Sequence, residues 1–393
     1  MKAGWIKTTL GEAFTTSTGS TPPKSNLDFY GQFMPLVKPP ELCDSTLDSA
    51  EDGLSESGAQ VARTLPPNSI LVSCIGNLGK IGMNTVPVAF NQQINAIHPD
   101  SSKAVPEFMF FQTLGGRFRE QLEAMASGTT VPIVNKSKFN SIEIVLPPLP
   151  EQQRIVTLLD EAFDGIATAK ANAEKNLQNA RAIFDSHLQS VLAQRGDGWE
   201  DKTLDQVCIV ERGSSPRPIK EFFTTAVDGV NWIKIGDTEE GGKYVHTTSQ
   251  KITPEGAKQS RFVREGDFIL TNSMSYGRPY IMKISGYIHD GWFVLRLNMS
   301  IDTDYFYYLL SSGFVQSQFA QLASGSVVKN ISGDLVKRVV LPIPPLDQQQ
   351  VIVEKLLEMS AETQRLESLY QRKLTALNEL KKSLLHRAFN GDL

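Results

Sequence analysis

Apolar residues recur every three or four positions along two long, otherwise polar stretches, one after Pro150 and the other after Leu346. No proline interrupts either stretch. This period is typical of an amphipathic helix, and about forty residues at 1.5 Å each give a rod of roughly 60 Å. The apolar stripe of the first helix contains Ile155, Leu159, Ile166, Leu177, Phe184 and Val191, and that of the second contains Ile352, Leu356, Met359, Leu366, Leu377, Leu380 and Leu384.

A narrow apolar stripe of this length needs a partner helix to cover it. The two helices have similar lengths and a whole domain separates them, so we expect them to pair as an antiparallel coiled coil. The alternative is two unrelated core helices. The step from Ala169 through Ala173 to Leu177 is four and four, a stutter that predicts local unwinding of the supercoil.

The two helices belong to an internal repeat that covers the chain at an offset of about 195 residues. The opening segments at 5–10 and 199–204 correspond, and so do the segments at 19–22 and 213–216. Each helix follows a proline-rich segment that ends in glutamines, Leu-Pro-Pro-Leu-Pro-Glu-Gln-Gln from Leu146 and Pro-Pro-Leu-Asp-Gln-Gln from Pro344. Each unit therefore has the same plan: an opening tryptophan, a globular domain, a proline-rich segment and a long helix.

Short apolar runs in each globular domain are typical of strands, and glycine-rich or polar segments separate them. Two longer runs predict helices, each interrupted near a glycine, and the remainder is expected to form loops. The predicted strands are 69–74, 94–97, 142–146, 268–271, 293–297 and 339–341, and the predicted helices are 106–125 and 305–322.

The fold class that follows is α+β, with two similar mixed α/β domains related by a pseudo-two-fold internal repeat. The two long helices join these domains. The predicted boundaries are 1–150 for the first domain, 151–195 for the first helix, 196–346 for the second domain and 347–393 for the second helix.

Composition fits a globular protein of two or three domains in 393 residues. No apolar run has membrane-spanning length, and the N-terminus lacks the apolar core of a signal peptide, so we expect no membrane association and a cytoplasmic protein. The cysteines Cys43, Cys74 and Cys208 have no metal-binding spacing and fit a reducing compartment.

The formal net charge of −4 argues mildly against an extended basic surface. Acidic residues are concentrated between Lys38 and Arg63, a segment that we expect to be a solvated loop. Any phosphate-binding face must therefore be a local concentration of positive charge.

Catalytic motifs are absent from the sequence. Gly79-Lys80 does not complete a phosphate-binding loop, because Cys74 stands in place of the first glycine and Ile81 in place of the hydroxyl residue that holds magnesium. There is no Asn-Pro-Pro or Asp-Pro-Pro followed by an aromatic residue, the pattern with which amino-methylating DNA enzymes hold the target base. The five histidines have no metal-ligand spacing. We expect neither catalytic nor metal-binding residues.

Polar loop residues form the remaining candidate site, because amides read base edges and basic side chains bind phosphates. Lys80 and Arg278 each follow a glycine at the same point of the repeat, and Tyr276 and Trp292 offer aromatic surfaces. The alternative for any single residue is an ordinary polar loop. The candidate DNA-binding residues are Lys38, Asn77, Lys80, Asn91, Gln92, Gln93, Lys136, Lys138, Arg217, Lys234, Asn272, Tyr276, Arg278, Trp292, Lys329 and Asn330.

The repeated proline-rich segment and helix, the Trp and Leu-Gly-Glu opening, and the Ala-Ser-Gly turns at 126–128 and 323–325 resemble the specificity subunit of type I restriction-modification systems. The resemblance covers essentially the whole chain. The second proline-rich segment departs slightly, with Asp347 and Gln348 where the first has proline and glutamate.

This resemblance implies two target-recognition domains, each of which reads one half of a split site in double-stranded DNA. It implies that the paired helices separate them and that two copies of an adenine methyltransferase subunit dock on the chain. Motor-nuclease subunits would then complete the restriction enzyme. S-adenosylmethionine, ATP and magnesium would bind those partners and not this chain. Because recognition loops vary with the DNA target in this family, individual base contacts cannot be transferred.

Three hypotheses follow. The first is a non-catalytic DNA-reading scaffold whose helices fix the distance between half-sites. The second is a structural adaptor that spaces two protein partners without touching DNA, which salt-dependent DNA binding by the assembled complex would distinguish. The third, a self-sufficient methyltransferase or nuclease, conflicts with the missing motifs.

Overall fold

The computed structural model describes residues 4–128, 130–239, 241–272, 277–324 and 332–393. The chain divides into two compact units, residues 1–174 with 371–393, and residues 175–370. The division falls within both long helices, so each unit contains the beginning of one helix and the end of the other.

The first unit begins with a strand that pairs with the strand just before the proline-rich segment. Its helices and strands are β1 (Ile6–Thr9), α1 (Leu10–Ala13), β2 (Thr15–Thr18), β3 (Tyr30–Val37), β4 (Ser45–Leu47), β5 (Gly53–Leu54), α2 (Glu56–Val61), β6 (Thr64–Leu65), β7 (Ile70–Ser73), β8 (Ile81–Asn84), β9 (Val88–Phe90), β10 (Ile94–His98), α3 (Pro106–Leu114), α4 (Gly116–Ala124), α5 (Lys136–Asn140), β11 (Glu143–Leu146) and α6 (Leu149–Ala193), with short 3-10 helices at Leu27–Phe29 and Pro39–Glu41.

Two mixed sheets form the centre of the first unit. One has the strand order β2-β10-β7-β8-β4, the other has the order β5-β3-β9-β6, and β1 pairs separately with β11. β10 runs antiparallel to both neighbours, so that Ala96 lies opposite Ser17 and Leu71. Strand β7 is buried on both faces: Ile70 and Val72 pack with the helices, while Leu71 packs toward the second sheet.

The second unit repeats this architecture. Its elements are β12 (Glu200–Thr203), α7 (Leu204–Val207), β13 (Cys208–Arg212), β14 (Phe223–Thr224), β15 (Val230–Ile233), β16 (Tyr244–Val245), β17 (Gln250–Ile252), α8 (Pro254–Ala257), β18 (Arg261–Val263), β19 (Phe268–Thr271), β20 (Pro279–Met282), β21 (Gly286–Ile288), β22 (Trp292–Leu297), α9 (Thr303–Ser311), α10 (Gly313–Ser324), α11 (Gly333–Val336), β23 (Val340–Ile343) and α12 (Leu346–Asn390), with 3-10 helices at Ile219–Phe222 and Ile235–Asp237.

The sheet orders of the second unit are β13-β22-β19-β20-β16 and β14-β17-β15-β21-β18, with β12 paired to β23. Apart from the additional strand β14, this is the topology of the first unit. The repeat extends to side-chain hydrogen bonds. Gln121 donates to the Glu143 carbonyl (3.1 Å) and accepts from its N–H (2.9 Å), and Gln318 makes the same pair of bonds with Val340 (3.0 and 2.9 Å).

The glutamines of the proline-rich segments are part of each core. Gln152 is buried; its Oε1 accepts from the Val105 N–H (2.9 Å), and its Nε2 donates to the carbonyls of Lys103 (2.9 Å) and Pro147 (2.8 Å). Gln349 repeats the arrangement by accepting from the Asp302 N–H (2.8 Å) and donating to the Pro344 carbonyl (2.8 Å). These glutamines therefore fasten the start of each long helix to the loop before α3 or α9.

The long helices pack against each other within each unit. In the first unit, Ile155 and Leu159 of α6 share a core with Leu385 and Ala388 of α12, and the Arg154 guanidinium donates to the carbonyl of Leu393 (2.8 Å). The beginning of α6 thus lies beside the end of α12, which is the antiparallel arrangement that the sequence predicted.

The second unit contains the other halves of the same helices. Leu188 and Leu192 of α6 share a core with Val353 and Leu356 of α12. Arg181 forms an ion pair with Glu367 across the helices (2.7 Å). The end of α6 therefore lies beside the beginning of α12.

Most residues of the predicted apolar stripes are at least half-buried. Leu380 is an exception, because 46% of its surface is exposed. In the last turns of α6, Leu188 and Leu192 are buried while Phe184 and Val191 are half-buried. The buried members of the two stripes are Ile155, Leu159, Ile166 and Leu356, and the half-buried ones are Leu177, Phe184, Val191, Ile352, Met359, Leu366, Leu377 and Leu384.

The remainder of each domain is not only loops, as the sequence had suggested. The expected loop between Lys38 and Arg63 contains β4, β5 and α2, and it buries Leu42 and Leu54. The predicted interruptions near a glycine are confirmed: 106–125 and 305–322 each form two helices, broken at Gly115 and Ser312. None of the helices in the described ranges is both long and apolar enough to cross a membrane.

Candidate nucleic-acid interface

A tight turn between β9 and β10, consisting of Asn91, Gln92 and Gln93, is the centre of the candidate interface in the first unit. We call it the first turn. The Asn91 Oδ1 accepts from the Gln93 N–H (3.0 Å), and the Gln93 carbonyl accepts from the N–H of Cys74 after β7 (2.7 Å). The Thr21 hydroxyl donates to the Gln92 Oε1 (3.0 Å). Gln92 itself is exposed at the tip.

The second unit builds the same turn from different residues, His289, Asp290 and Gly291, which we call the second turn. The Gly291 N–H donates to His289 Nδ1 (2.8 Å), and the Gly291 carbonyl accepts from the N–H of Asn272 (3.0 Å). The Ser215 hydroxyl donates to the Asp290 Oδ1 (2.9 Å). The hydrogen-bonded frame is thus the same, and the side chain at its tip is different.

The segment that supplies Thr21 or Ser215 is fixed to the same strands in both units. Gly19 donates its N–H to the Ile94 carbonyl (3.0 Å), and Gly213 donates to the Trp292 carbonyl (2.8 Å). The next residues, Ser20 and Ser214, donate to the last residues of β9 and β21 (2.9 and 3.3 Å). These bonds hold each hydroxyl segment alongside its turn.

The hairpins that carry Lys80 and Arg278 lie next to the two turns. The backbone N–H of Lys80 donates to the Ser73 hydroxyl (2.9 Å), and that of Arg278 donates to the Thr271 hydroxyl (3.0 Å). The structure therefore confirms that the two basic residues occupy matching positions. A strand follows each of them and not a helix, so neither hairpin is a helix N-terminal phosphate site.

The glycines before these residues are required by the backbone conformation of the hairpins. Gly79 and Gly277 have φ of 74° and 73°, a left-handed conformation that favours glycine. A Cβ on Gly277 would lie 2.2 Å from the Phe319 ring, so packing against α10 also excludes a side chain there.

The segment before α5 completes the interface of the first unit. Gly76 donates its N–H to the Pro132 carbonyl (2.9 Å), and Val134 donates to the Cys74 carbonyl (2.9 Å). Lys136, the first residue of α5, is exposed beside this segment. Lys138 is turned inward, since its Nζ donates to the Met125 carbonyl at the end of α4 (2.9 Å).

Lys38 and Lys234 are matched basic residues that follow β3 and β15. The Val37 carbonyl accepts from the N–H of Asn91, which places Lys38 next to the first turn. The Lys38 Nζ forms an ion pair with Asp52, so part of its charge is neutralised. Lys234 lies close enough to the second turn for its charge to contribute to lowering the pKa of His289.

The titratable groups of the second turn have defined charges near neutral pH. Burial lowers the pKa of His289, which outweighs the opposing effect of Asp290 and leaves the imidazole neutral. A neutral ring also agrees with its Nδ1 accepting a hydrogen bond. Burial opposes ionisation of Asp290, but the Ser215 hydrogen bond and nearby positive charge lower its pKa, so the exposed tip is a carboxylate.

The structure contradicts a direct contact for three of the predicted residues. Trp292 is completely buried against Tyr280, and Asn272 is 1% exposed, with its Nδ2 donating to the Asp290 carbonyl (2.7 Å). Asn91 is 7% exposed and bonds to Gln93. These residues build the frame and cannot present their side chains to a base, because their polar atoms and rings face inward.

Lys138 is half-buried and directs its ammonium group to the Met125 carbonyl, as described above. The other predicted residues fall into two groups. Those at the surface of the described interface are Lys38, Asn77, Lys80, Gln92, Gln93, Lys136, Arg217, Lys234 and Arg278, each exposed or half-buried. Tyr276, Lys329 and Asn330 lie outside the described residues. Contact of any of these residues with DNA stays a prediction.

Sequence reasoning missed two matched arginines and the acidic tip. The Arg63 guanidinium donates to the Thr18 carbonyl (2.5 Å), and Arg261 donates to the equivalent carbonyl of Arg212 (3.4 Å). Aligning the two repeats strand by strand would have paired these arginines, and would have paired Gln92 with Asp290. Asp290 was not among the predicted residues because only basic, amide and aromatic side chains were expected to contact DNA.

Metal-ligating side chains are scattered in the described part of the chain. It contains no group of three or more His, Cys, Asp or Glu side chains placed to hold a metal ion. Burial raises the pKa of the Cys74 and Cys208 thiols to about 12, so both are protonated near neutral pH.

Residues 2–178 and 196–375 match the sequence profile of the type I restriction modification DNA specificity domain, once in each repeat. The chain belongs to this family. Among its curated relatives, the EcoBI specificity subunit of Escherichia coli is 20% identical over 417 aligned residues that cover 99% of this chain and 86% of that subunit. The HindI specificity subunit of Haemophilus influenzae is 36% identical over 148 residues, which cover 37% of this chain and 32% of that subunit.

Solved structures confirm the predicted fold class. A chain from a study of complex assembly and conformational transition in a type I restriction-modification system superposes with a TM-score of 0.84 at 20% identity, covering 100% of this chain and 99% of that one. The HsdS subunit of Thermoanaerobacter tengcongensis gives a TM-score of 0.63 at 19% identity over 100% and 98% of the two chains. At these identities the likeness concerns the fold of the specificity family.

Proposed function

We propose that this chain is the DNA-reading specificity subunit of a type I restriction-modification enzyme. The observation that carries the proposal is the repeated hydrogen-bonded frame, which presents different exposed side chains in the two units. Membership of the specificity family supports DNA reading over the alternative of an adaptor that never touches DNA.

Each unit reads one half of a bipartite site. The first turn, the Lys80 hairpin and the segment before α5 lie together on one face of the first unit, and the second turn and Arg278 form the equivalent face of the second. Exposed amides and a carboxylate can read base edges there, while the basic side chains bind phosphates. Because the tips differ chemically, the two half-sites differ in sequence.

The long helices fix the spacing of the half-sites. Each is 45 residues long and begins within a proline-rich segment whose glutamine is fastened into a domain core. A continuous helix of this length spans about 68 Å at 1.5 Å per residue. The repeated helical surfaces also provide two equivalent docking surfaces, one for each of two copies of the methyltransferase subunit.

In this proposal, the partner subunits carry out methyl transfer and DNA cleavage. The methyltransferase subunits bind S-adenosylmethionine, and the motor-nuclease subunits bind ATP and magnesium, while this chain binds none of these cofactors. It follows that the purified chain alone transfers no methyl groups to DNA and cuts none. Part of the phosphate-binding charge comes from the methyltransferase subunits, since the net charge of this chain is −4.

Exchange of one domain tests this division of labour. Replacing residues 12–146 with the equivalent segment of a relative should change one half of the methylated sequence in cells that carry the partner subunits, and leave the other half intact. The reciprocal exchange in the second unit is the matched control, since it should alter only the other half. Changes in both halves after either exchange would refute independent reading, and wild-type complexes that methylate no bipartite site would refute the proposed function itself.

A further inference from the structure

We propose that the tips of the two turns, Gln92 and Asp290, are specificity-determining residues, and that Asp290 together with Arg217 reads a C·G base pair. This inference rests on the proposed function and names the base-reading atoms within it. Asp290 is an unexpected member of a DNA interface because its charge repels phosphates.

The first argument is that the two turns keep the same hydrogen-bonded frame and present different side chains at the exposed tip. In each turn, the first residue accepts from the N–H of the third, and the third accepts from the residue after the neighbouring strand. A hydroxyl from Thr21 or Ser215 holds one oxygen of the tip. The hydroxyl partner of that oxygen is therefore kept, while the group that carries the oxygen changes from an amide to a carboxylate. A scaffold that keeps geometry and varies one exposed polar group is suited to changing the base that is read.

The second argument concerns what Asp290 can bond. Its Oδ1 holds the Ser215 hydroxyl and its Oδ2 lies 3.5 Å from the Arg217 guanidinium. The carboxylate is ionised and can only accept hydrogen bonds. In the major groove, the amino group of cytosine is the donor that carboxylates read. Because 46% of the Asp290 side chain is exposed, the carboxylate can accept further hydrogen bonds from a ligand at the surface.

The third argument is the position of Arg217. Its side chain is 83% exposed, and its one ion pair among the described residues is the long contact to Asp290. A guanidinium donates in two places to O6 and N7 of guanine. Neighbouring acidic and basic side chains can therefore address both members of one C·G pair, the carboxylate on cytosine and the guanidinium on guanine. The pairing also offsets the repulsion between Asp290 and phosphates.

The first unit carries different chemistry on the same frame. The Oε1 of Gln92 accepts from Thr21, and its Nε2 is able to donate. Glutamine bonds adenine in two places, through N6 and N7. The residue equivalent to Arg217 is Pro23, which has no donor, so the first turn lacks the guanine-reading partner. The two halves of the recognised site therefore differ at this position, with A·T in one and C·G in the other.

The decisive variant is Asp290→Asn in the complex assembled with its methyltransferase subunits. Asparagine keeps the shape and the oxygen that accepts from Ser215, but it adds a donor. We expect the preference for C·G at one position of one half-site to fall about tenfold or more relative to A·T. The measurement is selection of bound duplexes from a library randomised in that half-site, together with sequencing of methylated sites in cells.

Asp228→Asn is the matched control, because it removes the same charge from an exposed residue. Asp228 precedes β15, whereas the second turn lies near the other end of that strand, where Ile233 pairs with Ile288. Asp228→Asn should leave every base preference unchanged. The reciprocal variant Gln92→Glu should alter a single position in the other half-site. Selection from a library reports preference even if a variant no longer supports methylation.

Three outcomes decide the matter. A changed preference confined to one position supports the inference. If the Asp290→Asn complex keeps the wild-type C·G preference at every position, the inference is overturned while the proposed function stands. The same holds if Asp228→Asn alters the base preference as much as Asp290→Asn does. A wild-type complex that selects no bipartite sequence from the library overturns the proposed function instead.

Discussion

The buried glutamines of the proline-rich segments should contribute measurably to the stability of each unit. Gln152→Met removes the hydrogen-bonding atoms while it keeps nearly the same volume, so no cavity complicates the result. The Val105 N–H and the carbonyls of Lys103 and Pro147 lose their partner. Because the glutamine is completely buried, water cannot replace it without opening the core.

The expected cost follows from the number of bonds. A hydrogen bond in a protein contributes about 1 kcal/mol net, and a buried group left without a partner costs about 1–3 kcal/mol. Three lost bonds therefore predict that Gln152→Met lowers the free energy of unfolding of the first unit by about 3 kcal/mol. Gln349→Met loses the bonds to Asp302 and Pro344, so it should cost the second unit about 2 kcal/mol.

Hydrogen exchange followed by mass spectrometry measures the loss of stability around Gln152 locally. It avoids the ambiguity of a single unfolding midpoint in a chain of two units. A loss of 3 kcal/mol should accelerate exchange of the Val105 amide about 150-fold, since each 1.4 kcal/mol is tenfold. The control is Gln153→Met at the exposed neighbouring position, which should change the stability by less than about 0.5 kcal/mol. Unchanged exchange at Val105 in Gln152→Met, or an equal effect of Gln153→Met, would show that the fastening role is wrong.

Further predictions concern DNA binding and spacing. Lys80→Ala should weaken DNA binding by the assembled complex and reduce the slope of affinity against salt by about one unit. An unchanged slope in a salt titration would show that Lys80 does not contact a phosphate. Inserting seven residues at both Ala173 and Gln371 should lengthen each helix by about 10 Å and the gap between half-sites by about three base pairs. Those pairs rotate one half-site by roughly a third of a turn, so activity should fall. If the variant methylates sites with the original gap at full activity, the helices do not set the distance between the half-sites.

The helices and the repeat were predictable because their signals are long. A stripe that persists over forty residues cannot arise from local coincidence. Antiparallel pairing followed from two helices of similar length that are separated by a whole domain. Individual stripe positions were less certain. Leu380 fits the period yet is exposed, since the apolar seam is narrower than the set of apolar residues available for it.

The second sheet of each domain was not predictable in the same way. Strand β3 contains Gly31 and Pro35 and changes register between Tyr30 and Met34. Its other neighbour, β9, is more than fifty residues further along the chain. Strands of this sheet are stabilised by partners that are distant in sequence, so their local pattern carries little information. The acidic segment around β4 and β5 was mistaken for a loop for that reason.

The candidate site was predictable by residue type and not by burial. The amides of the first turn and the basic residues at matching points of the repeat do lie around the turns. Sequence alone could not show that the side chains of Asn91 and Asn272 form hydrogen bonds within the frame. Nor could it show that Trp292 occupies the buried strand position equivalent to Ile94. Burial depends on which strands pair, and that pairing is the part of the fold that the sequence left open.

A frame that is separate from its tip has a consequence for how recognition changes. The hydroxyls of Thr21 and Ser215, the backbone bonds of the turns and the buried side chains beneath them set where the tip oxygen lies. Altering any of these would displace the turn and weaken binding to every sequence. Altering Gln92 or Asp290 leaves the frame in place and changes only which base edge matches the tip. Two copies of one frame on one chain can therefore acquire different specificities by substitutions at and beside the tip.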